Sequence, residues 1–221
     1  MIFHDRNEAG RLLGAALRRV LGERPWVLGI PRGGVVVAWE VARALRAPLG
    51  IAMAKKVPAP GHEEVAIGAV AENGVRLRDV GGCERIDVDD EEFGWRAERI
   101  EGVLAPMSGF YRAGRGEEPI AGRVVVIVDD GLATGSTMEA AIASARARGA
   151  RKVIAAAPVG ALETVERIAM EADGLFVLET PSDFVTVSQF YDVFEPVGDR
   201  AVRELLGETT QGLEEEKTTV A

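Results

Sequence analysis

Residues 124–141 read "VVVIVDDGLATGSTMEAA". Five apolar, β-branched residues predict a buried strand, and it stops abruptly at two adjacent acids, Asp129 and Asp130. Gly131, Ala133, Thr134, Gly135, Ser136 and Thr137 follow, a turn whose small side chains leave backbone N–H groups and hydroxyls free to surround an anion. A helix predicted over about 137–148 would add the partial positive charge of its N-terminus. An acid pair in a turn can also simply cap the next helix. Beside an anion nest, however, the carboxylates suit vicinal hydroxyls or a hydrated divalent cation. A sugar phosphate presents both a phosphate and vicinal hydroxyls.

The same alternation extends to both sides of this stretch. Asp5 and Glu8 suit a capping box, and Leu12, Leu13, Ala16, Leu17, Val20 and Leu21 form a helical stripe. "WVLGI" (26–30) predicts a short buried strand that breaks at "PRGG" (31–34), and a helix follows despite its valines. "LGIAMA" (49–54) predicts a second strand, "KKVPAPGHEE" (55–64) a loop, and "VAIGAVAENGVRLR" (65–78) a hairpin turning at Asn73 and Gly74. Residues 84–115 read as an acidic, largely helical insert. Strands are expected at 124–128, 153–157 and 175–178, with helices at about 137–148 and 161–172. Strands alternating with helices predict an α/β fold with a parallel sheet, whose ligands sit beyond the carboxyl ends of the strands. One domain is expected over residues 1–206, with residues 207–221 as an acidic tail lacking any apolar period.

The chain has 221 residues, 47% hydrophobic and 28% charged, and a net charge of −9. This composition predicts a soluble globular protein, and no apolar run approaches the roughly 20 residues of a membrane span. No secretory leader is evident, and the single cysteine, Cys83, excludes a disulfide framework within the chain or a multi-cysteine metal site. A cytoplasmic location is therefore expected, without a membrane partner. Residues 1–82 carry 12 Lys+Arg against 8 Asp+Glu, while residues 83–221 carry 14 against 27. The first part could meet an anion, although Arg18, Arg19, Arg43 and Arg46 suit solvated helix faces. The overall acidity, together with the lack of a DNA-binding appendage, argues against a nucleic-acid partner.

"VVVIVDDGLATGSTM" closely resembles the 5-phosphoribosyl 1-diphosphate signature of the type I phosphoribosyltransferases. Together with "IPRGGVVVA" and "KKVPAPGHEEVAIGAV", it makes the region from about residue 5 to 206 similar to a group of predicted bacterial phosphoribosyltransferases of unsettled substrate. The resemblance implies a Rossmann-like parallel sheet with a hood, here about 179–195. It also implies transfer of a phosphoribosyl group to a nitrogenous base with diphosphate release, dependent on Mg²⁺ and belonging to nucleotide metabolism. In that reading Asp129 and Asp130 hold the ribose 2′ and 3′ hydroxyls and touch Mg²⁺, in part through water. Ala133, Thr134, Gly135, Ser136 and Thr137 cradle the 5′-phosphate. Gly33 and Gly34 let the backbone approach the diphosphate, Arg32 and one of Lys55 and Lys56 offer it charge, and the peptide joining Pro31 to Arg32 is expected to be cis. The segment from Val57 to Val70 corresponds to the part that closes over the reaction, where His62 and Glu64 could assist proton transfer.

The acceptor is less sharply indicated. Ala133 stands where the oxopurine enzymes have an Asp, as in the adenine enzymes, and "AAAPVG" (155–160) lacks the lysine that oxopurine enzymes keep there. "PSDFVTVSQFYDVF" (181–194) resembles the segment that stacks a purine on an aromatic ring, with Phe184 and Val185 at the contacting positions. A purine acceptor is accordingly favoured. The insert carries Phe93, Trp95, Ile100, Leu104, Phe110 and Tyr111, and is expected to cover the base or meet a second subunit of a homo-oligomer. Arg112 and Arg115, toward its end, could reach a ligand. The alternative function is a sensor of sugar phosphates or nucleotides that keeps the site without turnover. An aspartyl phosphotransferase fits less well, because the nest suits a bound phosphate better than a phosphorylated Asp.

Overall fold

The computed structural model describes residues 2–113 and 116–207. Strand β1 (Trp26–Gly29), β2 (Leu49–Ile51), β6 (Val124–Val128), β7 (Lys152–Val159) and β8 (Gly174–Glu179) form a five-stranded sheet in the order β2-β1-β6-β7-β8. All of its pairings are parallel. Val125 and Ile127 pack in one core with Leu28, Met138 and Ile168, whereas Val124, Val126 and Val128 pack in another with Leu13, Val35 and Val41. Alternate residues of one strand thus serve opposite faces, which explains why β6 is apolar throughout. Helices α1 (Arg6–Arg18) and α2 (Gly33–Leu45) lie on one face, α5 (Ser136–Ala147) and α6 (Leu162–Glu171) on the other. Asp5 caps α1 by accepting from Glu8 N at 2.8 Å. Among the described residues no helix is long and apolar enough to cross a membrane.

Two expected elements are corrected. The strand expected over 49–54 ends at Ile51, and the loop expected over 55–64 is mostly strand: β3 (Ala54–Ala59) joins β4 (His62–Ala71) and β5 (Val75–Arg78) in a separate antiparallel sheet. Pro58 is tolerated because β3 is an edge strand with an irregular register between Val57 and Ala59. The hairpin turn falls as expected at Asn73 (φ 65°) and Gly74 (φ 73°), consecutive left-handed residues in the three-residue connection from Glu72 to Gly74.

Within the chain the insert covers the small sheet. Helix α3 (Val80–Arg85) starts it, and α4 (Asp90–Arg112) lays Phe93, Ala97 and Leu104 on the face of the small sheet formed by Val57, Ile67 and Val70. The opposite face, with Ala54, Ala69 and Ala71, packs against α5, so the insert covers a sheet that would otherwise expose one apolar side. Trp95 and Phe110 remain exposed. Arg112 is buried between Glu72 and Glu118 and is not available to a ligand. Arg115, the Glu64 side chain and the expected tail from residue 208 onward lie outside the described residues.

Candidate active site

Strand β6 ends at Val128 and delivers Asp129 and Asp130 to the carboxyl edge of the parallel sheet. Asp129 N donates to Ala156 O at 3.1 Å, and Asp130 N donates to the Asp129 Oδ1 at 2.9 Å. Burial pushes the Asp129 carboxyl well above the ordinary carboxylate range, and the adjacent Asp130 charge pushes it further. Burial also raises Asp130, against the pull of Arg6. Arg6 Nε donates to Asp130 Oδ2 at 2.7 Å, and its guanidinium carbon lies 3.7 Å from the centre of the Phe194 ring. Tyr191 Oη donates to Asp130 O at 2.6 Å, tying this corner to the hood.

The turn after β1 presses against the acids from the other side. A Cβ on Gly33 would fall 1.9 Å from Asp130 Oδ2, and one on Gly34 would fall 2.8 Å from Val128 O. Only glycine fits either position. The Pro31–Arg32 peptide is cis, as the resemblance implied. The Arg32 side chain is half exposed and turns toward Asp199, at 3.8 Å, rather than toward the acid pair.

Pleat parity separates the two lysines. Lys56 pairs with Ala69 and Ala54 with Ala71, residues of the sheet face that meets α5; Lys55 pairs with Val70, on the face covered by α4. The Lys56 charge also acts to lower the Asp129 pKa. Lys56 therefore lies on the side of the acids and Lys55 on the opposite face.

Beyond the acids, Ala133 to Thr137 lead into the N-terminus of α5. Gly135 takes φ 76° as its N-cap, a left-handed conformation that suits glycine. The structure thus brings Asp129, Asp130, Gly33, Gly34, Lys56 and this loop to one edge of the sheet. The hood is less simply placed: Phe184 stacks on Phe190 with centroids 5.5 Å apart, within a cluster that includes Phe3, Tyr191 and Phe194. Val185 is exposed, and His62 is exposed at the start of β4. Among the described residues no group of three or more His, Cys, Asp and Glu could hold a metal ion. Two adjacent carboxylates nevertheless suit a hard cation bound mainly through ligand oxygens and water.

Arg6 is the site residue that sequence reasoning missed. A cation at the first position of a helix opposes the helix dipole, and that misfit is the one local sign that Arg6 is held by something else.

The architecture and the edge cluster define an α/β protein with an acid pair and a glycine-rich turn at the carboxyl edge of its parallel sheet. Residues 4–195 match the family model of the phosphoribosyl transferase domain, and the chain belongs to that family. A Mycobacterium tuberculosis (strain H37Rv) protein named "Putative phosphoribosyl transferase" is 42% identical over 203 residues, covering 91% of this chain and 45% of that protein. The chain therefore spans about half the length of the curated relatives it matches. It is also similar to the crystal structure of a Thermus thermophilus protein, with a TM-score of 0.80 and 42% identity over 94% of this chain and 99% of that one. The parallel sheet with flanking helices implied by the resemblance to type I phosphoribosyltransferases is the fold observed.

Proposed function

We propose that this protein transfers the phosphoribosyl group of 5-phosphoribosyl 1-diphosphate to a nitrogenous base, a purine being the favoured acceptor class. The observation that carries the proposal is the close approach of Gly33 and Gly34 to an acid pair that leads directly into the loop opening α5. In the reaction the bond from ribose C1 to the diphosphate oxygen breaks, a bond from C1 to the base nitrogen forms, and that nitrogen gives up its proton. Positive charge develops on the ribose ring and negative charge on the leaving group, so positioning and electrostatics supply the catalysis.

Each residue has a role in that scheme. Asp129 and Asp130 accept hydrogen bonds from the ribose 2′ and 3′ hydroxyls and, once ionised, favour the cationic ring. Arg6 holds Asp130 in place. The amides and hydroxyls of Ala133 to Thr137 bind the 5′-phosphate. Gly33 and Gly34 admit the diphosphate to the backbone, and Lys56, with Arg32 swung from Asp199, meets its charge. Asp129 and Asp130 would contribute to holding Mg²⁺, directly or through water, and the bound ion would neutralise charge on the diphosphate. Phe184 and Val185 would line the acceptor side.

The test is diphosphate release from the donor with Mg²⁺ across purine, pyrimidine and nicotinic acceptors. Base-dependent release, largest with a purine, is expected. Donor binding without release would instead make the protein a sensor. With a purine acceptor, Phe184→Ala should raise the acceptor KM roughly tenfold and leave the donor KM unchanged.

A further inference from the structure

Three consecutive carbonyls of the phosphate loop are turned toward the same helix. Leu132 O accepts from Ala161 N at 2.9 Å. Ala133 O accepts from the Thr164 hydroxyl at 2.6 Å, and Thr134 O accepts from the Arg167 guanidinium. The three donors come from the N-cap of α6 and from positions three and six residues later, which lie along one side of the helix.

This arrangement fixes the direction of the intervening amides. These peptides are trans, and in a trans peptide the C=O of one residue and the N–H of the next point to opposite sides. With the oxygens of Leu132, Ala133 and Thr134 held on α6, the N–H groups of Ala133, Thr134 and Gly135 must face away from it. Among the described residues none of these three amides donates to a protein acceptor. Adjacent N–H groups aimed the same way and left without acceptors form a nest for an anion.

The brace is built closely. Gly135 lies so near α6 that a Cβ there would fall 2.7 Å from Thr164 Cγ2. Thr164 is buried, and its hydroxyl reaches across 31 residues of sequence to the loop. Arg167 is anchored a second time, on the Glu139 carboxylate in the first turn of α5.

We propose that Thr164 and Arg167 are positioning residues for the 5′-phosphate. They touch no ligand atom, and they orient the loop amides that do. This inference rests on the reading of residues 133–137 as the phosphate site. It assigns to α6 a share of donor affinity that its distance in sequence from the loop conceals.

The experiment is calorimetry with ribose 5-phosphate and with Mg²⁺-diphosphate as separate probes, on the wild type and on Thr164→Val, Thr164→Ser and Arg167→Met. Thr164→Val and Arg167→Met are expected to weaken ribose 5-phosphate binding roughly tenfold each, while diphosphate affinity stays within about twofold. Thr164→Ser keeps the hydroxyl and should restore binding. The Arg167 side chain is 44% exposed, so its replacement opens no core and decides the question even if Thr164→Val fails to fold. Folded variants with unchanged ribose 5-phosphate affinity, or with equal losses for both probes, would overturn the positioning role alone. A wild type that binds neither probe would overturn the phosphate-site reading and this inference together.

Discussion

Glu72 and Glu118 flank the guanidinium of Arg112, while Asp129 and Asp130 sit side by side at the sheet edge with Arg6 on one of them. Both pairs are largely withdrawn from water, but their surroundings differ. Arg112 donates to Glu72 Oε1 at 2.5 Å and Oε2 at 2.9 Å, and to Glu118 Oε1 at 3.1 Å and Oε2 at 2.8 Å. Arg148 and Ile51 N supply further donors to Glu118. Burial works against the Glu118 charge, yet the hydrogen bonds and charge of Arg112 hold its carboxyl below the ordinary range. Asp129 is less well served: burial and the Asp130 charge push its carboxyl up, and the Asp130 amide and the charges of Lys56 and Arg6 only partly oppose them. The first cluster is satisfied within the fold and joins α4 to the two sheets. The second holds two adjacent carboxyls whose charge the fold accommodates poorly, and this marks it as the candidate site.

The contrast can be broken by removing a partner from the closed cluster. Arg112→Met leaves Glu72 and Glu118 buried without their shared cation and should destabilise the fold by about 3–5 kcal/mol, read from urea unfolding. A loss no larger than that of a surface variant would dissolve the distinction. Within the open cluster, Lys56→Ala should lower kcat/KM for the donor roughly 10–100-fold, whereas Lys55→Ala should change it less than about twofold. Equal effects would mean that strand parity does not sort the two lysines.

Asp129→Asn removes a poorly accommodated charge from the ligand-free protein and should raise its stability by about 0.5–2 kcal/mol, even as it impairs the reaction. A melting temperature lowered by this substitution would show that the acid is a structural group. The smallest effect lies in the pH dependence. A carboxyl raised in the folded state contributes stability fully present below its unfolded pKa, and this is lost as pH rises through the raised value. Glu118 behaves oppositely: its contribution is present above the unfolded pKa and lost as pH falls through the lowered one. Melts of the wild type and Asp129→Asn over a pH series should therefore diverge, with the wild type losing more stability as pH rises above the ordinary carboxylate range.

What the sequence disclosed is what is written locally. The apolar run of β6, its two acids and the glycine and hydroxyl turn occupy adjacent positions, and their chemistry can be read in order. The alternation of strands and helices likewise follows from local period, and the Asn73–Gly74 turn from residues that accept left-handed backbone. β3 was concealed because Lys55, Lys56, Pro58 and Pro60 look like a loop until the strand's edge position is known. Arg6 lies 124 residues from Asp130, and Glu72 lies 40 from Arg112. Such pairings leave no periodic trace, since they are set by which elements the sheet order brings together. The same holds for Thr164, whose hydroxyl bonds a carbonyl of another element rather than capping its own helix.

The most direct measurement is calorimetric titration of Mg²⁺ and 5-phosphoribosyl 1-diphosphate into the wild type and into Asp129→Asn/Asp130→Asn, with folding of both verified by melting. The acid pair as donor site predicts saturable binding by the wild type and a loss of roughly 100-fold or more in the double variant. Equal affinity in the two proteins would contradict it.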